Sequence, residues 1–167
     1  MTIKKSNLKI VILLSVIIIG GGWYLYNNQK TSAAPASQSA GGEKKTVTVY
    51  KTTTCGCCGN YVTYLKRQGF EVKEVNMNDA DLTALKKEQG VPAGLTSCHT
   101  TVVDNYFLEG HMPVEAINKL IADQPDLKGI ALPGMPPASP GMPGIKSGSF
   151  VIYGVDASGQ TTDFVSL

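Results

Sequence analysis

The sequence has few of the residues that mark several common functional classes. Its 167 residues include one Trp, two His and four Cys, and only 17% are charged. Six of the fifteen basic residues lie before position 46, so the remainder carries nine basic and twelve acidic residues, a net charge of about −3. This remainder has no basic patch with interleaved aromatic residues, and we therefore expect no nucleic-acid partner.

Charge is also missing from one long N-terminal run. No charged residue occurs between Ile10 and Tyr26, and three lysines precede this run. Its length is near the lower limit for crossing a bilayer, and the lysines predict a cytoplasmic N-terminus. A cleaved signal peptide is the alternative, but the small-residue site at Ala34-Pro35-Ala36 lies far beyond the apolar stretch. Both interpretations export the rest of the chain.

This pattern divides the chain into four regions. We expect a basic cytoplasmic end at 1–9, a transmembrane anchor or signal peptide at 10–26, a flexible linker at 27–45 and a folded domain at 46–167. The predicted location is the inner (cytoplasmic) membrane, with the domain facing the periplasm or the cell exterior.

The domain shows strand and helix patterns in alternation. The β-branched run Thr46–Tyr50 predicts a strand, and the patterns that follow predict helix, strand, helix, strand, strand and helix. This order indicates an α/β, thioredoxin-like fold. A Met/Pro-rich loop around Gly134–Pro143 follows, and Phe150–Tyr153 with Phe164–Val165 predicts a closing β-hairpin.

Three of the four cysteines lie between the first strand and the first helix, in Cys55-Gly56-Cys57-Cys58. Backbone N–H groups at a helix N-terminus favour thiolate over thiol. The pair Cys55 and Cys58 is typical of a thioredoxin-type redox site, whereas Cys57 does not belong to that pattern and suits a soft metal. Two structural disulfides remain an alternative for an exported chain with four cysteines.

Further soft donors occur later in the chain. In a thioredoxin-like arrangement the loop before the third strand faces the active turn, so Cys98 is expected to approach the other cysteines. Thiolate and thioether suit Cu(I), with imidazole as a companion. Zinc is the weaker choice because the chain has no second Cys-x-x-Cys pair and no obvious role would remain for the methionines. The candidate metal ligands are Cys55, Cys57, Cys58, Cys98, His99, His111, Met112, Met135 and Met142.

Several segments together resemble the exported CopG-type copper-resistance proteins. They are Cys55-Gly56-Cys57-Cys58, Gly90-Val91-Pro92, Ser97-Cys98-His99-Thr100, Glu109-Gly110-His111, Pro133-Gly134-Met135-Pro136 and Ser139-Pro140-Gly141-Met142. The resemblance implies a thioredoxin-like fold, copper binding by the four cysteines, a cluster of several ions as one form, and a role in copper stress. Three positions depart from the family pattern, namely Tyr61 in place of Trp, Asn105 in place of Gly and Met112 in place of Val.

We therefore expect an extracytoplasmic Cu(I)-binding protein that contributes to copper resistance. One alternative is a thiol–disulfide oxidoreductase, with Cys55 as nucleophile and Cys58 as resolving thiol. Another is a copper-dependent redox enzyme that cycles between Cu(I) and Cu(II), because imidazole also accepts Cu(II). The expected partners are copper ions, other copper-handling envelope proteins and, through the anchor, the membrane.

Overall fold

A computed structural model describes residues 44–167 of the chain. These residues form a mixed α/β fold, as the sequence predicts, and the predicted order of elements is confirmed as far as the third helix. The described elements are β1 (Thr46–Thr52), α1 (Gly56–Arg67), β2 (Glu71–Met77), α2 (Asp79–Gln89), a 3₁₀ turn (Ala93–Leu95), β3 (His99–Val103), β4 (Tyr106–Glu109), α3 (Val114–Asp123), β5 (Gly129–Ala131), β6 (Val151–Val155) and β7 (Thr161–Ser166).

The boundaries of α2 follow directly from its sequence. Asn78 is the N-cap, and its side-chain oxygen accepts a hydrogen bond of 2.8 Å from the backbone N–H of Asp81. This contact satisfies one of the N–H groups that a helix start leaves unpaired. Gly90 ends the helix with φ of 81°, a left-handed conformation that glycine adopts without steric cost.

The strands form one sheet in the order β2-β1-β3-β4-β5-β6-β7. The first strand is paired on both sides, in parallel with β2 and antiparallel with β3. The predicted hairpin between β3 and β4 is present, with Asp104 in its turn at φ of 51°. Residues of β1 alternate between buried and half-buried, since successive side chains of a strand point to opposite faces.

The pairing of β1 with β3 positions the cysteines. Lys51, near the end of β1, lies opposite His99, the first residue of β3. Because the two strands are antiparallel, the end of β1 and the start of β3 lie at the same edge of the sheet. The turn that carries Cys55 and the loop that carries Cys98 therefore meet there.

The sequence patterns did not predict β5. We expected only a Met/Pro-rich loop between the third helix and the closing hairpin, but Gly129–Ala131 pairs with β4 on one side and β6 on the other. The three-residue strand is too short to show an alternating pattern, and pairing on both edges stabilises it. The predicted closing hairpin, β6 and β7, is thereby joined to the main sheet.

A hydrophobic core lies between the sheet and the helices. Burying each large apolar side chain of this core contributes about 1.5–3 kcal/mol to the free energy of folding. Fully buried members from strands and helices are Val47, Val49, Leu65, Leu108, Ile117, Leu120, Ile130 and Ile152.

The predicted N-terminal regions cannot be compared with the structure. The basic end at 1–9, the anchor or signal peptide at 10–26 and all but the last two residues of the linker at 27–45 lie outside the described residues. Within residues 44–167, each helix is too short or too polar to traverse a bilayer.

Candidate metal centre

The turn between β1 and α1 carries three sulfur atoms. Cys55 is the N-cap of α1, with extended backbone angles, and its N–H donates a 3.3 Å hydrogen bond to the carbonyl of Thr52. Cys57 and Cys58 lie in the first turn of the helix, where Cys58 is fully buried and Cys57 is half-buried. The sequence prediction that these cysteines lie at a helix N-terminus is confirmed.

Two of these cysteines are oxidised in the structure. Cys55 and Cys58 form a disulfide, while Cys57 and Cys98 are free thiols. Residues 44–167 therefore contain one disulfide, and not the two that the alternative interpretation requires. The Cys57 sulfur lies 3.5 Å from that of Cys55, so a third sulfur contacts the disulfide directly.

Cys98 joins the cysteines to the histidines. Its sulfur lies 3.5 Å from the sulfur of Cys58 and 3.9 Å from that of Cys57. It also lies 3.4 Å from Nδ1 of His99 and 3.3 Å from Nε2 of His111. Two groups of donor atoms within 4.8 Å of one another result, one of four cysteines and one of Cys98 with both histidines.

These separations suit a single ion between neighbouring donors. Zinc–sulfur bonds of about 2.3 Å and zinc–nitrogen bonds of about 2.0 Å at tetrahedral angles place donors roughly 3.5–3.8 Å apart, which gives the scale for a small soft ion. The observed distances of 3.3–3.9 Å around Cys98 bracket that range. Little movement is needed for ligation once the disulfide is reduced.

The two imidazoles are enclosed in the protein. Both His99 and His111 have no solvent exposure, and the ring of Tyr61 packs against them at centroid distances of 4.6 Å and 5.4 Å. Burial lowers the pKa of His99 well below its usual value, and the neighbouring His111 adds to this shift. Burial also lowers the pKa of His111. Both rings are therefore neutral near pH 7, the form in which imidazole binds metal.

Burial has the opposite effect on the thiol at the centre. It is the largest cause of a shift that raises the pKa of Cys98 to about 12, and the adjacent Cys57 contributes to the same shift. Without a metal, Cys98 is consequently a neutral thiol rather than a thiolate at neutral pH. Since a metal binds the thiolate, ion binding must displace the Cys98 proton.

The predicted methionine ligands occupy three different environments. The Met112 side chain is fully buried in the hydrophobic core, and its carbonyl accepts a 3.2 Å hydrogen bond from the Tyr61 hydroxyl. Met135 is 37% exposed and has a left-handed backbone with φ of 47°. Met142 is half-buried in a surface groove beside Asn60 and Tyr64 of α1. A metal role for these thioethers stays a prediction.

A buried ion pair near the centre was not predicted. The Glu109 carboxylate, with no exposed surface, accepts hydrogen bonds from Lys86 Nζ, Thr100 Oγ1 at 2.6 Å and the backbone N–H of Ser97 at 2.5 Å. The hydrogen bond from Ser97 fixes the backbone of the residue that precedes Cys98. Lysine and glutamate are usually exposed, so their positions in the sequence gave no indication of this role.

The donor set has a clear chemical character. Among the described residues, one donor group consists of four sulfur atoms and the other of one sulfur and two imidazole nitrogens, with no carboxylate in either. Hard cations prefer oxygen ligands, whereas thiolates select softer ions such as Cu(I) and Zn(II). The arrangement can hold a soft metal ion in its reduced form, or exchange its disulfide with another thiol.

Known structures share this architecture. One solved structure described as "Copper resistance protein copG- Form 2" has 38% sequence identity and a TM-score of 0.69, covering 75% of this chain and 99% of that chain. A second, "Copper resistance protein copG- Form 1", has 37% identity and a TM-score of 0.68 over 75% and 98% of the two chains. This chain belongs to the CopG family.

A family model supports the same assignment over a shorter segment. The model described as "Protein of unknown function, DUF411" matches residues 95–142, which include Cys98, both histidines and all but the last residue of the Met/Pro-rich loop. Comparison with curated proteins gave no match. The CopG-type resemblance inferred from the sequence segments is thus confirmed.

Proposed function

We propose that this CopG-family domain binds Cu(I) outside the cytoplasm and contributes to copper resistance. The observation that carries the proposal is the convergence of three further sulfur atoms and two imidazoles on the sulfur of Cys98. The solved relatives are described as copper resistance proteins, which supports the choice of metal.

Copper fits the donors better than zinc does. Structural zinc sites use four ligands, commonly in two pairs from separate knuckles. Here one sulfur, that of Cys98, is shared between a group of cysteines and a group with two histidines. A shared thiolate can bridge ions, which supports the binding of more than one Cu(I) in a cluster.

The disulfide makes copper binding dependent on redox state. Cys55 and Cys58 cannot act as thiolate ligands while they are bonded to each other. Reduction by an external dithiol would restore both donors. We accordingly propose that the reduced domain is the copper-binding form and that the disulfide form binds weakly.

The proposal also includes a thioredoxin-like fold and a location outside the cytoplasm. The order of β2-β1-β3-β4, with β2 parallel and β3 antiparallel to β1, supports a thioredoxin-like domain. The charge-free run at 10–26 supports a membrane anchor with the domain in the periplasm or at the cell exterior. Other copper-handling envelope proteins are then its natural partners.

The test is anaerobic titration of the full-length chain with Cu(I) in the presence of a competing chelator. The reduced protein should retain copper at modest chelator excess, whereas the disulfide form should lose it. Retention of zinc under copper challenge, or equal binding by both redox forms, would contradict the proposal.

A thiol–disulfide oxidoreductase is the second candidate, and the Cys55–Cys58 disulfide is the observation that favours it. Cys57→Ser separates the two functions because it removes a copper donor but leaves the Cys-x-x-Cys pair. Copper binding predicts weaker affinity and lower copper tolerance in this variant. Unchanged tolerance together with disulfide-reductase activity in both proteins would instead support the oxidoreductase.

Bound copper that cycles between Cu(I) and Cu(II) would appear as copper-dependent electron transfer in the same preparations.

A further inference from the structure

The Met/Pro-rich loop contacts the metal centre through a backbone group. The carbonyl oxygen of Pro140 lies 2.6 Å from Nδ1 of His111. A carbonyl oxygen only accepts hydrogen bonds, so Nδ1 must carry the hydrogen. The other ring nitrogen, Nε2, lies 3.3 Å from the Cys98 sulfur and is left with its lone pair toward the donor cluster.

The loop reaches this position by packing directly on α1. Gly141 has φ of 83°, and a Cβ at this position would lie 2.7 Å from the Tyr61 backbone nitrogen and 3.0 Å from its Cα. Asn60 Nδ2 also donates a 3.3 Å hydrogen bond to the Gly141 carbonyl. Only glycine permits this approach, and Gly141 immediately follows the Pro140 carbonyl.

Internal hydrogen bonds make the loop a defined structure. The N–H and hydroxyl of Ser139 both donate to the Pro136 carbonyl, at 3.1 Å and 2.7 Å, and Ser139 is almost fully buried. The N–H of Met142 donates to the Ser139 carbonyl at 2.8 Å. These contacts fix the peptide groups on either side of Pro140.

The two histidines differ in the hydrogen-bond partners of their ring nitrogens. Nδ1 of His99 faces Cys98, but its buried Nε2 has no hydrogen-bond partner within residues 44–167. His111, by contrast, has a close carbonyl partner that fixes its tautomer and its ring orientation. Such partners are a recurrent feature of metal-ligating histidines.

We propose that the Pro140 carbonyl is a positioning group which orients His111 so that Nε2 serves as a copper ligand. The effect on copper binding rests on the proposed function, whereas the orientation of the His111 ring does not require copper. Loss of a positioning partner of this kind typically weakens metal affinity about 10–100-fold. The Met/Pro-rich loop is then a support for the centre, in addition to any role of its methionines.

Gly141→Ala tests the contact because the added Cβ must displace the loop from Tyr61. Gly148→Ala is the matched control, since Gly148 is exposed, has φ of 78° and has open space for a Cβ among the described residues. Both variants carry similar backbone strain, but only Gly141→Ala moves the Pro140 carbonyl. Asn60→Ala, a change of an exposed side chain, provides a milder second variant if Gly141→Ala does not fold.

The first measurement needs no metal. The full-length chain contains only two histidines, so ¹⁵N–¹H spectra of the metal-free disulfide form resolve four ring nitrogens. We expect His111 in the Nδ1–H tautomer in the wild type and in Gly148→Ala, and loss of this single tautomer in Gly141→Ala. An Nε2–H tautomer in the wild type would overturn the inference.

The second measurement is Cu(I) affinity of the reduced proteins by chelator competition. We expect a 10–100-fold loss for Gly141→Ala relative to Gly148→Ala, and a smaller loss for Asn60→Ala. Affinities within twofold for all three variants would refute the positioning role. If the wild type fails to bind Cu(I), the proposed function fails, while the tautomer measurement still decides whether Pro140 orients His111.

Discussion

The buried ion pair between Lys86 and Glu109 gives a quantitative prediction about stability. The two side chains are 9% and 0% exposed, so water cannot replace either partner. Lys86→Met preserves the length and apolar stem of the side chain but removes its charge. The Glu109 carboxylate would then be a buried charge without a counter-ion.

The expected loss follows from what remains around the carboxylate. Thr100 and Ser97 still donate hydrogen bonds to Glu109, but neither carries a compensating charge. Removing one partner of a buried ion pair costs about 3–5 kcal/mol. For a domain of this size, that corresponds to a fall in melting temperature of roughly 10–20 °C.

The assay is urea unfolding of the metal-free protein, followed by circular dichroism. Lys66→Met is the control, because Lys66 forms a 3.0 Å ion pair with Glu74 on the surface, where the lysine is 53% exposed. An exposed pair of this kind contributes only about 0–1 kcal/mol. Lys86→Met should therefore lower the free energy of unfolding several-fold more than Lys66→Met.

A double variant identifies the cause. Lys86→Met combined with Glu109→Gln removes both charges, so we expect it to be more stable than Lys86→Met alone. A loss for Lys86→Met within 1 kcal/mol of the control, or a double variant less stable than the single one, would refute the assignment of the effect to an uncompensated buried charge.

Four further predictions concern the site and the fold. Cys98→Ser should weaken Cu(I) binding at least 100-fold, more than loss of a positioning partner does, and equal affinity in a chelator competition would exclude Cys98 as the shared ligand. Replacing Met135 or Met142 by Leu should lower Cu(I) affinity in a chelator competition if the thioethers contact copper, and unchanged affinity would exclude them as ligands. Gly129→Ala should destabilise the domain by several kcal/mol, because its Cβ would overlap the carbonyl and ring of Phe107. The measurement is urea unfolding, and a loss below about 1 kcal/mol would show that β4 and β5 separate easily. N-terminal sequencing of protein from the cell envelope should find an intact N-terminus, whereas a mature chain beginning near Ser37 would indicate a cleaved signal peptide.

Local patterns predicted those parts of the centre that lie close together in the sequence. The strand before Cys55 and the helix after it are both indicated by a few neighbouring residues, so the placement of three cysteines at the start of α1 followed from the sequence. The cap at Asn78 and the stop at Gly90 are equally local features. Short-range hydrogen bonds and side-chain spacing are sufficient to determine such features.

Contacts between distant segments required the tertiary structure. The strand β5 depends on partners from β4 and β6, and its three residues carry too little pattern to indicate it alone. Lys86 and Glu109 belong to residue types that are usually exposed, so only the packing of α2 against β3 and β4 reveals that they are buried. The approach of Gly141 to Tyr61 likewise involves residues 80 positions apart.

The sequence by itself determined which donors this protein has: four thiols, two imidazoles and no cluster of carboxylates, a composition that favours a soft metal. It also determined the turn that presents three of the thiols at a helix N-terminus. The expected approach of Cys98 to the other cysteines is present in the structure. Only the tertiary structure decided that Cys98 also contacts both histidines, because this depends on how β1, β3 and β4 pair. It also decided which nitrogen of His111 faces the cluster, because a backbone carbonyl of the loop accepts the hydrogen on the other nitrogen, and every residue carries such a carbonyl.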